Sequence, residues 1–76
     1  MSSAFLSPAQ DAIVRRLAAG ETVPEIARAL FMATATVYRH LFDARTRLGA
    51  RTTAQLVARW AEAETRRAEY DVAVKA

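Results

Sequence analysis

Apolar residues recur along this chain in four stretches, each at helical spacing and each bounded by a start or stop signal. In the first, Ile13, Val14 and Leu17 follow Ser7-Pro8-Ala9-Gln10, with serine at the cap, proline at the first helical position and glutamine three residues after the cap. The serine hydroxyl and the glutamine amide can each satisfy a backbone N–H left over at a helix start, and proline has none to leave over. Leu6 stands where it packs back as a staple and Gly20 offers a left-handed stop, so a helix is expected over about 8–19. Thr22-Val23-Pro24-Glu25 repeats the device ahead of Ile26, Ala27 and Leu30, which predicts a short helix over about 23–30. The third begins after Phe31-Met32-Ala33, carries an inward stripe of Val37, Leu41, Ala44 and Leu48, and is stopped by Gly49. The fourth starts near Thr52 or Thr53, turns Leu56, Val57, Trp60 and Ala61 inwards and continues into a charged stretch. Its last residues, 71–76, either extend it or fray.

No stretch alternates with the period of two that marks a strand, so the fold class is all-α with four helices and an extended C-terminal helix. The chain divides into an N-terminal tail (1–5), a helix-turn-helix domain (6–70) and a C-terminal tail or frayed helix end (71–76). A short helix, a tight turn and a longer helix with a basic outer face already make a helix-turn-helix by spacing.

Composition sharpens this in three ways. Seventy-six residues support one small core, and with no cysteine it has neither disulfides nor thiolate metal sites to help it. No apolar run approaches the ~20 residues that span a bilayer, and Met1-Ser2-Ser3-Ala4-Phe5 does not open an export signal, so the expected location is cytoplasmic. Finally, the net charge of +3 is concentrated. Residues 33–60 carry Arg39, Arg45, Arg47, Arg51 and Arg59 against Asp43 alone, while the segments on either side are close to neutral. A local basic segment on a neutral body is the footprint of a polyanion-binding face. The preference for arginine over lysine fits forked donors that grip phosphate, and fits equally a GC-rich genome that encodes arginine often.

The motifs resemble the LuxR-type C-terminal DNA-binding domain. The resemblance is carried by Leu6-Ser7-Pro8, Leu17-Ala18-Ala19-Gly20-Glu21-Thr22, Glu25-Ile26-Ala27-Arg28-Ala29-Leu30, Thr36-Val37-Tyr38-Arg39-His40-Leu41 and Arg47-Leu48-Gly49-Ala50-Arg51-Thr52-Thr53-Ala54-Gln55, over about residues 5–60. It implies a bacterial or phage regulator of transcription in which helix three enters the major groove of double-stranded DNA and helix four is the dimer contact. Many members carry a receiver or ligand-binding domain ahead of this module, so the chain resembles either the short stand-alone members or an excised fragment. It departs from the family pattern at Ala33, where a Ser or Thr caps the recognition helix, at Tyr38, where lysine is usual, and at Ala12, Phe42 and Ala44. Thr34 is expected to take over the cap by starting the helix one residue later.

With the inward stripe at 37, 41, 44 and 48, helix three presents Ala35, Tyr38, Arg39, Phe42, Arg45 and Thr46 outwards. Arg39 is the foremost candidate for base reading, because its fork can bond both acceptors on a guanine edge. Tyr38, Phe42 and Ala35 lie on the same face, where an aromatic can touch a thymine methyl. Thr36 and Arg47 match family positions near the DNA backbone, and with Arg45, Arg51 and Thr22 they are the expected phosphate contacts. His40 is expected to be structural, beside the DNA-facing surface; a lone histidine makes no conventional zinc site, so no metal and no cofactor are expected. No nucleophile–base pattern and no Gly-rich phosphate loop occurs, and the chain is not expected to be an enzyme.

Helix four carries Leu56, Trp60, Ala63, Arg67, Tyr70 and Val74 at heptad-like spacing, which predicts a homodimer through Leu56, Trp60, Ala63 and Tyr70. The alternative is a long helix packed on its own domain with a solvated tail. A second functional class also stays open: a protein-interaction module in which Tyr38, Phe42, Phe31 and Met32 bind RNA polymerase or another regulator.

Overall fold

A computed structural model describes residues 6–75 of the chain and the side chains of 6–71. The expected N-terminal tail (1–5) and the side chain of Val74 lie outside the described residues. Four helices follow one another: α1 (Pro8–Ala18), α2 (Val23–Ala29), α3 (Thr34–Leu48) and α4 (Thr53–Lys75). The first two open on complete capping boxes. Gln10 N–H donates to Ser7 Oγ at 3.2 Å while Ser7 N–H donates to Gln10 Oε1 at 3.0 Å, and Thr22 and Glu25 exchange the same pair at 3.3 and 2.8 Å. The bond from the Thr22 backbone N–H, foremost, holds the Glu25 carboxyl below its ordinary range, with the Thr22 side chain and Arg28 adding to it. This support for α2 is therefore present above the ordinary glutamate range and is lost as the pH falls through the lowered value.

Helix α3 lacks such a cap. Ala33 occupies the cap position and makes no side-chain hydrogen bond, and Thr34 is already helical, so the expected transfer of the cap to Thr34 does not occur. The backbone turns the helix on at 34 whatever side chain precedes it, because Val37 and Leu41 are anchored in the core.

Three of the helices close in the same way. After α1, Gly20 N–H reaches the Leu17 carbonyl and Glu21 N–H the Arg16 carbonyl; after α2, Phe31 reaches Arg28 and Met32 reaches Ala27; after α3, Gly49 reaches Thr46 and Ala50 reaches Arg45. Each closure needs one residue with positive φ. Gly20 and Gly49 supply it at 95° and 65°, but after α2 the residue is Phe31, at 56° and 96% exposed. A side chain in the left-handed region costs roughly 1–2 kcal/mol, and glycine returns about 0.5–1 of that through its greater freedom when unfolded. Phe31→Gly is therefore expected to stabilise the domain by about 0.5–1 kcal/mol, read as a higher urea midpoint with an unchanged slope.

The core is formed by Leu6, Ile13, Val14, Ile26, Ala27, Val37, Leu41, Ala44 and Leu56, with Leu17, Val23, Leu30, Met32, Leu48, Ala50 and Trp60 packed around it. Helices α1 and α3 each touch all three others, so the α3 stripe is clamped from behind by the rest of the fold. Ala61, expected inward, is exposed. Along this part of α4 the side toward the domain is taken by Trp60, Ala63 and Glu64, which lie half-buried, and Ala61 points to solvent.

Candidate nucleic-acid interface

With Val37 and Ala44 fully buried and Leu41 nearly so, the opposite side of α3 is held outward by packing rather than by its own chemistry. Ala35, Thr36, Tyr38, Arg39, Phe42, Asp43, Thr46 and Arg47 are all exposed, with Tyr38 at 60% and Phe42 at 64%. Thr46 is partly committed, since its hydroxyl donates to the Phe42 carbonyl at 3.1 Å.

The arginines divide into two groups. Arg15, Arg16 and Arg66 pair with acids, and Arg45 and Arg59 donate to backbone carbonyls. Arg28 is exposed and acts on the Glu25 carboxyl. The side chains of Arg39, Arg47 and Arg51 are exposed and engage no group among the described residues. All three sit on α3 or in the turn that follows it. An unengaged guanidinium keeps all five donors available for an anion, and nothing within the protein must be broken first.

Arg45 departs from its expected role. It is half-buried, its guanidinium donates to the Arg51 carbonyl, and its Nε is buried without a partner. Its place one turn before the C-terminus of α3 lets it fold over the turn instead of pointing at a duplex. Arg59 completes that turn from α4 by donating to the Leu48 carbonyl at 3.2 Å, and the Arg51 N–H donates to Gln55 Oε1 at 2.7 Å. Thr52 caps α4 by accepting from Gln55 N–H at 3.1 Å. The turn that carries Arg51 is thus built by Arg45, Thr52, Gln55 and Arg59. Sequence reading missed Arg59 and Gln55, although arginine eleven residues after the end of a helix has no local signature to find.

Thr22, the other expected phosphate contact, is exposed at the start of α2 with its hydroxyl engaged in the capping box. His40 is half-buried on the flank of α3, and its Nδ1 is buried without a partner. Among the described residues no cluster of three His, Asp or Glu side chains could hold a metal ion, and no helix is long and apolar enough to cross a membrane.

The expected dimer residues separate. Leu56 is 0% exposed and belongs to the core, which removes it from any face between chains. Trp60 is half-buried against α1, its indole N–H donating to Asp11 Oδ1 at 2.9 Å, so it too is a residue of its own domain. Ala63 is half-buried, and Tyr70 is 69% exposed. Glu62 and Arg66, one turn apart on α4, pair at 3.7 Å; both side chains are largely in water, where such a pair contributes little.

Against this geometry, the model of the family described as GerE, bacterial regulatory proteins, luxR family, matches residues 4–60. Comparison with curated proteins and with solved structures gave no match. The family match takes in α1, α2, α3 and the base of α4; the rest of α4, to Lys75, lies beyond it.

Proposed function

The chain belongs to the luxR family of bacterial regulatory proteins, DNA-binding regulators built on a helix-turn-helix, and from that premise we propose that it is a sequence-specific regulator of transcription that inserts α3 into the major groove as a homodimer. The observation that carries this reading is the row of unengaged, exposed arginines along α3 and the turn behind it. A rod of 15 residues is about 22 Å long, enough to lie along the floor of a groove about 12 Å wide while its buried stripe stays with the domain. Arg39, with Tyr38, Phe42 and Ala35 beside it, reads base edges. Thr36, Arg47, Arg51 and Thr22 meet phosphates, and Arg45 serves them by holding the turn.

Two copies pair through the outer part of α4, with Ala63 and Tyr70, and set two α3 helices on half-sites about one turn of DNA apart. From Ala68 to Asp71 every side chain is exposed. A helical segment of this kind is only marginally stable without a partner, which favours pairing over a solvated tail.

Arg39→Ala is expected to erase discrimination at one or two base pairs, each worth roughly 1–3 kcal/mol, while leaving nonspecific affinity nearly unchanged. Competition binding against duplexes with single substitutions measures this. An Arg39→Ala protein with unaltered affinity and unaltered sequence preference would remove Arg39 from the reading face. A second reading is favoured by the exposure of Phe31, Tyr38 and Phe42 together: this side docks a protein, RNA polymerase or another regulator. Its signature is binding that changes little with salt and is lost in Phe42→Ala.

A further inference from the structure

We propose that a latch between Asp11 and Arg15 of α1 and Trp60 and Glu64 of α4 determines which spacing of half-sites the dimer accepts. The inference rests on the homodimer reading above. Asp11 is 7% exposed, and its two carboxylate oxygens are divided between partners: Oδ1 accepts from the Trp60 indole N–H at 2.9 Å, and Oδ2 faces Arg15 Nη2 at 3.3 Å. The Arg15 guanidinium lies over the Trp60 ring, 5.0 Å from its centroid, and reaches Glu64 Oε2 at 3.5 Å. Two residues one turn apart on α1 therefore grip two residues one turn apart on α4.

Apolar contact alone would hold α4 on the domain, as Leu56 does, but such contacts are non-directional and let one helix tilt on another. Two polar contacts cross between the helices one turn apart, Trp60 N–H to Asp11 and Arg15 to Glu64, and a tilt of α4 on α1 lengthens one or the other, while the Asp11–Arg15 bond within α1 holds both α1 side chains in place. The latch stands at the end of the packed part of α4, and beyond Arg67 every described side chain is exposed. From Trp60 to Tyr70 the helix runs about 15 Å. A tilt of about 13° at the latch moves Tyr70 by about 3.4 Å, which is one base-pair step. In a dimer joined through Tyr70, the angle at Trp60 becomes the distance between the two α3 helices. The grip on α4 is then a specificity device, although none of its four residues approaches DNA.

The test uses the full chain and a preferred half-site selected from random duplex. Duplexes carry two half-sites whose separation changes one base pair at a time, and binding is measured at constant salt with the state of association followed by sedimentation. The wild-type protein is expected to favour one spacing by tenfold or more. Trp60→Phe, which keeps the aromatic ring and removes the N–H, is expected to shift the preferred spacing or flatten the profile to within about threefold, without changing affinity for a single half-site. Asp11→Ala is expected to do the same, and Asp11→Asn, which keeps an oxygen acceptor for the indole, to restore much of the preference. Should Asp11→Ala fail to fold, Trp60→Phe and Asp11→Asn decide between them. A dimeric Trp60→Phe protein with the wild-type spacing profile overturns the latch alone. A wild-type protein that stays monomeric on its duplex overturns the dimer reading, and the latch with it.

Discussion

Leu56→Ala is expected to cost about 3–4 kcal/mol of stability and to lower the unfolding midpoint accordingly. Leu56 is completely buried, among the largest such side chains in the core, and it is the residue through which α4 enters that core. Removing a leucine side chain from such a site forfeits its transfer free energy and leaves a cavity that a packed surround fills only in part. A domain of this length has roughly 4–11 kcal/mol in total, so one residue accounts for a large fraction of it. Urea unfolding followed by circular dichroism measures the loss. The same experiment separates two roles for α4. If Leu56 packs within its own chain, the destabilisation is independent of protein concentration; if it sat between chains, the midpoint would rise with concentration in the wild type and far less in the variant.

Binding to DNA is expected to weaken by about a hundredfold between 50 and 200 mM salt. In the proposed dimer, Arg47 and Arg51 from each of two copies would make four contacts to phosphate. Each releases close to one counterion, so the logarithm of affinity falls with that of salt with a slope of about −3.6. Arg47→Ala removes two of these contacts in the dimer. The slope is expected to fall in magnitude to about −1.8 and affinity to drop alike for all sequences. Arg45→Ala tests the division among the arginines. It is expected to lower stability through loss of its bond to the Arg51 carbonyl, in contrast to Arg47→Ala, which leaves the fold intact. Titration of a fluorescent duplex over a range of salt concentrations reads both slopes. Salt-independent binding that disappears in Phe42→Ala would favour protein docking over DNA as the use of this face.

Much of the architecture was legible because its signals are local. Ser7-Pro8 with Gln10 and Thr22 with Glu25 act within one turn of backbone, and the structure forms both boxes where the spacing predicts them. The stripe of Val37, Leu41, Ala44 and Leu48 repeats at the period of the helix, so it named the inner side of α3 and, by difference, the outer side. Exposure of Ala35, Arg39, Tyr38, Phe42 and Thr46 follows from that periodicity alone, whereas Arg45, placed outward by the same period, is half-buried.

The sequence by itself determined where α1, α2 and α3 begin and end and which side of each is apolar, because hydrogen bonds at a helix end and apolar periodicity both act between residues a few positions apart. What each polar side chain does on those helices was decided by tertiary structure. Asp11 and Trp60 are 49 residues apart and meet only once α4 is laid on α1. Arg45 and Arg47 read as equivalent basic residues until the turn after α3 closes over one and leaves the other in water. Phe31 takes a conformation that suits glycine because the helices on either side of it are each fixed by their own packing, and the turn must join them with the residue it has.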